Sequence, residues 1–213
     1  MLPAFLHGRL AACELALDLE LARDRERDRE FFPEIPWRDV GIRLDLLKNG
    51  GNSMLMMKAD AISLLKEDHK KVRELLKQLD ETTSRGTKKR KTLVSQIAGE
   101  IKVHTTIEEE IFYPAYKAAA EKKDELDLYF EAKEEHHVVD MVLPELQASD
   151  PASDEFGAKA TVLRELIEHH AKEEEREMFP KAKKLLDKEE LVTLGIRMEA
   201  RKKELKKAKK GGK

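Results

Sequence analysis

A chain of 213 residues accommodates one ordinary domain with extensions, or at most two small ones. Its 41 basic and 43 acidic residues are mixed along the sequence, so no net field selects nucleic acid or a membrane surface, and the lone cysteine, Cys13, excludes an intrachain disulfide, a thiolate metal site and a CxxC redox pair. With 39% charged and only 5% aromatic residues, the composition is that of long solvated helices around a narrow apolar seam: an all-α protein, expected in a reducing cytoplasm and acting on small molecules.

Residues 1–57 read as an irregular N-terminal extension. The segment from Leu10 to Leu21 is apolar in part, but Glu14, Asp18 and Glu20 interrupt it and no basic region leads into it, so neither a signal peptide nor a membrane span is expected. Acid and base alternate from Arg23 to Arg29, Phe31-Phe32-Pro33 and Pro36-Trp37 follow, and no helical stripe is sustained. Gly50-Gly51 stand shortly before Met54, Met56 and Met57, which leaves two readings open. The segment is a disordered extension, or it is a ribosome-binding sequence read as protein, with initiation at one of those methionines.

From Asp60 onward apolar residues recur at helical spacing. The first helix carries Ile62, Leu65, His69, Val72, Leu76 and Leu79 and ends in the polar turn from Thr82 to Thr87. The second carries Leu93, Ile97, Ile101, His104, Glu108 and Ile111, and Pro114 kinks or interrupts it. The third carries Tyr129, Ala132, His136, Val139 and Leu143 and stops near Pro151; the fourth, capped by Ser153 or Asp154, carries Phe156, Ala160, Leu163, Ile167, His170 and Glu174. Short connections between helices of similar length predict an up-down-up-down four-helix bundle over residues 58–186. Beyond Pro180 the helix resumes through Leu186. The run Asp187 to Glu190 then reads as a capping box for a short C-terminal helix with Leu191, Leu194, Met198 and Leu205 on one side, and the basic end from Lys202 reads as a frayed tail.

One pattern occurs twice. His104 precedes Glu108 by four residues and Tyr113-Pro114 by nine and ten; His170 precedes Glu174 and Phe179-Pro180 by the same intervals. Positions i and i+4 of a helix lie about 40° apart around its axis, so each copy aims an imidazole and a carboxylate at one spot. The first and third helices also match each other, each placing a histidine in its apolar stripe, His69 and His136, as a duplicated helical hairpin would. Four histidines in core stripes, with two glutamates that burial alone would penalise by several kcal/mol, point to a metal cage rather than four unrelated core residues. Imidazole and carboxylate without thiolate suit iron, manganese or zinc, and Glu108 and Glu174 could each bridge two metals. His137 and His169 point about 100° away from their neighbours and are expected at the surface, Glu100 is a weaker candidate outside the ligand set, and Tyr113, Tyr116 and Tyr129 could reach the site, although aromatic packing is the expected role of each.

The order His69, His104-x3-Glu108, His136, His170-x3-Glu174, with the aromatic-Pro pairs behind, resembles the hemerythrin-like, or HHE cation-binding, domain over about residues 58–205. The resemblance implies two irons joined by an oxo or hydroxo group, held by those six residues, and a protein that binds or senses O2, NO or iron; the alternative is an enzyme that decomposes peroxide. The chain departs from hemerythrins proper at one place. They add a histidine one turn after the third helix's ligand, and here Asp140 stands there, either as a terminal oxygen ligand or as an acid that orients a histidine. A ferritin-like oxidase is disfavoured, because such sites need two Glu-x-x-His motifs and only Glu134-x-x-His137 is present.

Overall fold

The computed structural model describes residues 59–211, and every regular element among them is helical. Both readings of the N-terminal segment, including a start at Met54, Met56 or Met57, concern residues outside that range. The helices are α1 (Ala61–Asp80), α2 (Thr87–Ile107), α3 (Tyr113–Ala119), α4 (Lys123–Ala148), α5 (Asp154–Glu173), α6 (Phe179–Leu185) and α7 (Lys188–Gly211). Asp60 starts α1 by accepting the Ser63 N–H at 2.8 Å, and of the two residues proposed to cap α5 it is Ser153 that accepts the Phe156 N–H, at 3.1 Å. Asp187 and Glu190 form the reciprocal box ahead of α7, each side chain accepting the other's backbone N–H at 2.8 Å.

The two prolines are accommodated in the same way. Helices α2 and α5 each pass into a five-residue π-helical turn, Glu108–Phe112 and Glu174–Met178. There the N–H of Tyr113 reaches back five residues to the Glu108 carbonyl, and that of Phe179 to Glu174. Proline has no N–H to give and its ring crowds the carbonyl four residues back; widening the preceding turn removes the conflict and lets α3 and α6 begin with Pro114 and Pro180 in their first turns. The chain therefore continues in register past each proline, and the wide turns begin at the two glutamates of the repeated motif.

Helix α1 packs on α2, α4 on α5, α1 on α5 and α2 on α4, which closes a four-helix bundle. Its interior is divided. One apolar cluster holds Val72, Leu76, Ile97, Ile101, Val139, Leu143 and Leu163; the other holds Ile62, Leu65, Ile107, Phe112, Tyr113, Phe179 and Met198. Between them lies a layer of buried polar side chains. Helix α7 lies along α1 and α2, buries Leu191, Leu194 and Met198, and runs 24 residues, so the basic stretch from Lys202 expected to fray is helical as far as Gly211. Gly195 is where α7 crosses the start of α1: a Cβ there would lie 2.5 Å from the Ala59 carbonyl oxygen.

Candidate metal centre

The polar layer is built from the repeated motif. His69 comes from α1, His104 from α2, His136 from α4 and His170 from α5, while Glu108 and Glu174 open the two π-helical turns; all six are buried. The histidines meet in pairs within each hairpin, Nε2 of His69 lying 3.2 Å from Nε2 of His104, and Nε2 of His136 3.2 Å from Nε2 of His170. The glutamates cross between pairs. Glu108 Oε2 is 3.2 Å from His104 Nε2 and 3.4 Å from His136 Nε2; Glu174 Oε2 is 3.1 Å from His69 Nε2 and 3.7 Å from His170 Nε2. Two overlapping donor groups result, His69, His104, Glu108 and Glu174 in one, Glu108, His136 and His170 in the other, with the ligand atoms of each within 4.8 Å of one another.

A second set of acids orients the imidazoles. Nδ1 of His69 pairs with Glu175 at 2.8 Å, that of His136 with Glu109 at 2.8 Å, and that of His170 with Glu135 at 2.7 Å; Nδ1 of His104 is 3.6 Å from Asp68, an ion-pair separation too long for a hydrogen bond. A ring that donates Nδ1–H to a carboxylate keeps its lone pair on Nε2, so the acids fix the tautomer that turns donor atoms towards the centre. The acids are themselves tied: Arg73 joins Glu175 to Glu168 at 2.8 and 2.7 Å, and Lys202 of α7 grips Asp68 at 2.6 and 2.8 Å. Hydrogen bonding to His136 holds the Glu109 carboxyl below its usual range, and for Asp68 and Glu175 the partners outweigh the upward push of burial.

Without a cation this layer is frustrated. Glu108 is wholly buried and neither of its oxygens has a hydrogen-bond partner; Oε2 of Glu174 is likewise unpartnered. Burial, reinforced by the neighbouring Glu174, pushes the Glu108 carboxyl well above its usual range. Burial pushes Glu174 up as well, but His170 and His69 outweigh it and hold that carboxyl low, while the same contacts raise His69 and His170 against burial. Burial drives His104 down to about 4. Four imidazole lone pairs and two carboxylates converging on one dry interior fit divalent or trivalent metal, and the nitrogen and oxygen donors suit iron.

Of the residues singled out from the sequence, six are brought together and Asp140 is not. Asp140 is exposed, apart from both donor groups. The buried positions of α4 run Ala132, His136, Val139, Leu143 and Leu146, in steps of four and three, so the inward stripe passes through i+3 of His136 and leaves i+4 on the flank. Glu100 pairs with Lys71 at 2.6 Å and Lys206 at 3.5 Å, and His137 and His169 are exposed.

Tyr113 does more than pack. Its hydroxyl donates to Glu174 Oε1 at 2.9 Å, lies 3.4 Å from His136 Nε2, and its ring stacks on His136 at 5.5 Å between centroids. The counterpart Phe179 stacks on His69 at 5.8 Å and offers no hydroxyl, so the two halves of the site differ chemically. Burial raises the Tyr113 hydroxyl well above its usual pKa, with Glu108 and Glu174 adding to the effect, and keeps it a donor. The orienting acids were missed. Their signal lay in the same repeat extended by one residue: an acid precedes His69 and His136, and an acid follows Glu108 and Glu174.

Beside the histidines, on the side away from the wide turns, is a cavity of about 30 Å³ lined by Val72, Ile101, Val139, Ile167 and the four imidazoles. No helix among the described residues is long and apolar enough to cross a membrane.

Comparison with known proteins agrees with this geometry. The model of the family described as hemerythrin HHE cation binding domain matches residues 60–182. The crystal structure of a hemerythrin HHE cation binding domain-containing protein from Mycobacterium kansasii is similar at a TM-score of 0.62 and 27% identity, covering 70% of this chain and 89% of that one. A protein of Nostoc sp. (strain PCC 7120 / SAG 25.82 / UTEX 2576) described as a DNA nickase is 26% identical over 127 residues, which is 60% of this chain but only 34% of that protein.

Proposed function

Since the chain belongs to the hemerythrin HHE cation binding domain family, we propose that its centre holds two non-haem irons and binds or senses O2 or NO. His69 and His104 would hold one iron and His136 and His170 the other, with Glu108 and Glu174 spanning the pair beside an oxo or hydroxo bridge. Such a pair supplies one-electron chemistry at each metal and coordination positions that a small ligand can take.

The cavity beside the histidines carries this reading. A volume of about 30 Å³ is room for a molecule of roughly one or two waters in size. Apart from the imidazoles and Thr105 its walls are apolar, with Val72, Ile101, Val139 and Ile167, and its size suits a diatomic gas better than an organic substrate. With Asp140 at the surface, the chain also supplies one donor fewer than the resemblance allowed, which favours an exchangeable position. Balanced surface charge supports a small ligand over the DNA acted on by the Nostoc relative, and the lone cysteine suits a reducing cytoplasm. The test is to reduce the iron-loaded protein anaerobically and mix it with O2 or NO: a new absorption band that reverses on removing the gas is the expected result, and unchanged spectra with both gases would refute the reading.

One observation favours peroxide as a second ligand. Breaking an O–O bond requires a proton, and the Tyr113 hydroxyl, held protonated 2.9 Å from Glu174, is a donor inside the site. Peroxide consumption that falls with Tyr113→Phe at unchanged iron content would assign that chemistry; a rate untouched by the substitution would remove Tyr113 from it.

A further inference from the structure

The duplicated hairpins are not equivalent on their outer faces. Aligning His104 with His170 and His69 with His136 places Leu64, Asp68, Val103, Ile107 and Ile111 of the first half against Glu131, Glu135, His169, Glu173 and Glu177 of the second. In the first half the four apolar residues are buried where α7 lies over α1 and α2, and Lys202 neutralises Asp68. In the second half Glu131, His169 and Glu177 are exposed, and Glu135 and Glu173 half-buried.

Among the described residues the α4/α5 seam carries donor groups where the other hairpin carries a covering helix. Glu135, His169 and Glu173 bring three ligand atoms within 4.8 Å of one another, two carboxylates and one imidazole. His169 Nε2 is 3.4 Å from Glu135 Oε1, and it is one turn before Glu173 on the same face of α5. Glu131 and Glu177 stand close enough to add their negative charge to that of Glu135 at Glu173, whose carboxyl burial and these neighbours push above its usual range. The Glu135 carboxylate also joins this group to the buried centre, because its second oxygen holds His170 Nδ1 at 2.7 Å.

We infer that Glu135, His169 and Glu173 form an outer site for a divalent cation and that iron enters the buried centre through it. Glu135 spans from the surface of the α4/α5 seam to His170 of the buried centre, whereas α7 covers the corresponding seam of the other hairpin. Mixed nitrogen and oxygen donors suit Fe(II), and the surrounding carboxylates raise the local concentration of cations, while the exposed imidazole lets the ion leave again. The entry role rests on the diiron reading; the outer site itself does not.

The experiment uses the full chain after its iron content has been measured, so failure of the diiron reading is seen before the outer site is tested. Calorimetric titration of the iron-loaded protein with Zn(II) should find one further cation per chain, lost in His169→Ala and in Glu173→Gln with the iron content unchanged. No zinc binding, or equal binding by the variants, would overturn the site. Iron-free protein mixed with limiting Fe(II) should then load about tenfold more slowly in His169→Ala than in wild type and reach the same final iron content. Equal loading rates would overturn the entry role.

Discussion

Replacing Glu108 by glutamine should have opposite effects on the iron-free and iron-loaded protein. In the iron-free state both Glu108 oxygens are buried without a partner, and the carboxyl faces Glu174 as well as the lone pairs of His104 and His136. An amide of the same shape carries no charge and can donate from its NH2 to those two Nε2 atoms, now 3.2 and 3.4 Å from Oε2. Giving these buried, unpartnered atoms hydrogen-bond partners relieves about 1–3 kcal/mol. For a domain of this size that raises the melting temperature by roughly 2–4 °C per kcal/mol. With iron present the same substitution removes the carboxylate that spans the two histidine pairs, so iron content should fall and the stabilisation that metal gives wild type should be lost. Calorimetry of both proteins with and without iron reads all four values. An iron-free Glu108→Gln protein that melts below iron-free wild type would refute the argument, because it would mean that the carboxylate is well satisfied without metal.

Other outcomes follow from the same contacts. His104 takes up its proton at about 4 when folded and at 6.5 when unfolded, so its contribution destabilises the fold as pH falls between those values. Iron-free wild type should lose stability relative to iron-free His104→Gln, by on the order of 3 kcal/mol at pH 4 and almost nothing at pH 7.5, in urea melts across that range. Glu109→Ala, which frees the His136 ring, should weaken iron binding by about 10–100-fold in a chelator competition, whereas His137→Ala, at the exposed neighbouring position, should leave it unchanged. Gly195→Ala should destabilise the protein by about 1–3 kcal/mol in chemical denaturation, because the added methyl meets backbone atoms of Ala59, Asp60 and Ala61 that cannot swing aside.

The six residues of the buried cluster were legible because two independent patterns coincided on them: helical periodicity placed His69, His104, His136 and His170 in apolar stripes, and the repeat paired two of them with Glu108 and Glu174. Asp140 was left open between two roles because the four-residue rule alone does not follow the stripe, which steps by three from His136 to Val139 and leaves Asp140 exposed. The wide turns at Glu108 and Glu174 were visible only as Pro114 and Pro180; a proline marks the conflict in the hydrogen-bond ladder but not how the preceding turn resolves it. Tyr113 and Phe179 look interchangeable as core aromatics, and only the location of one hydroxyl beside Glu174 separates them. The extent of α7 was obscured by its lysines, which are good helix formers and read as a tail only when the Lys202 contact with Asp68 is unseen.

The most direct test of the diiron centre is the metal content and Mössbauer spectrum of the protein purified without added metal, beside Glu108→Ala. The account predicts two irons per chain in wild type, coupled to each other, and loss of the coupled pair in the variant. One zinc per chain, or two irons that persist without Glu108, would contradict it.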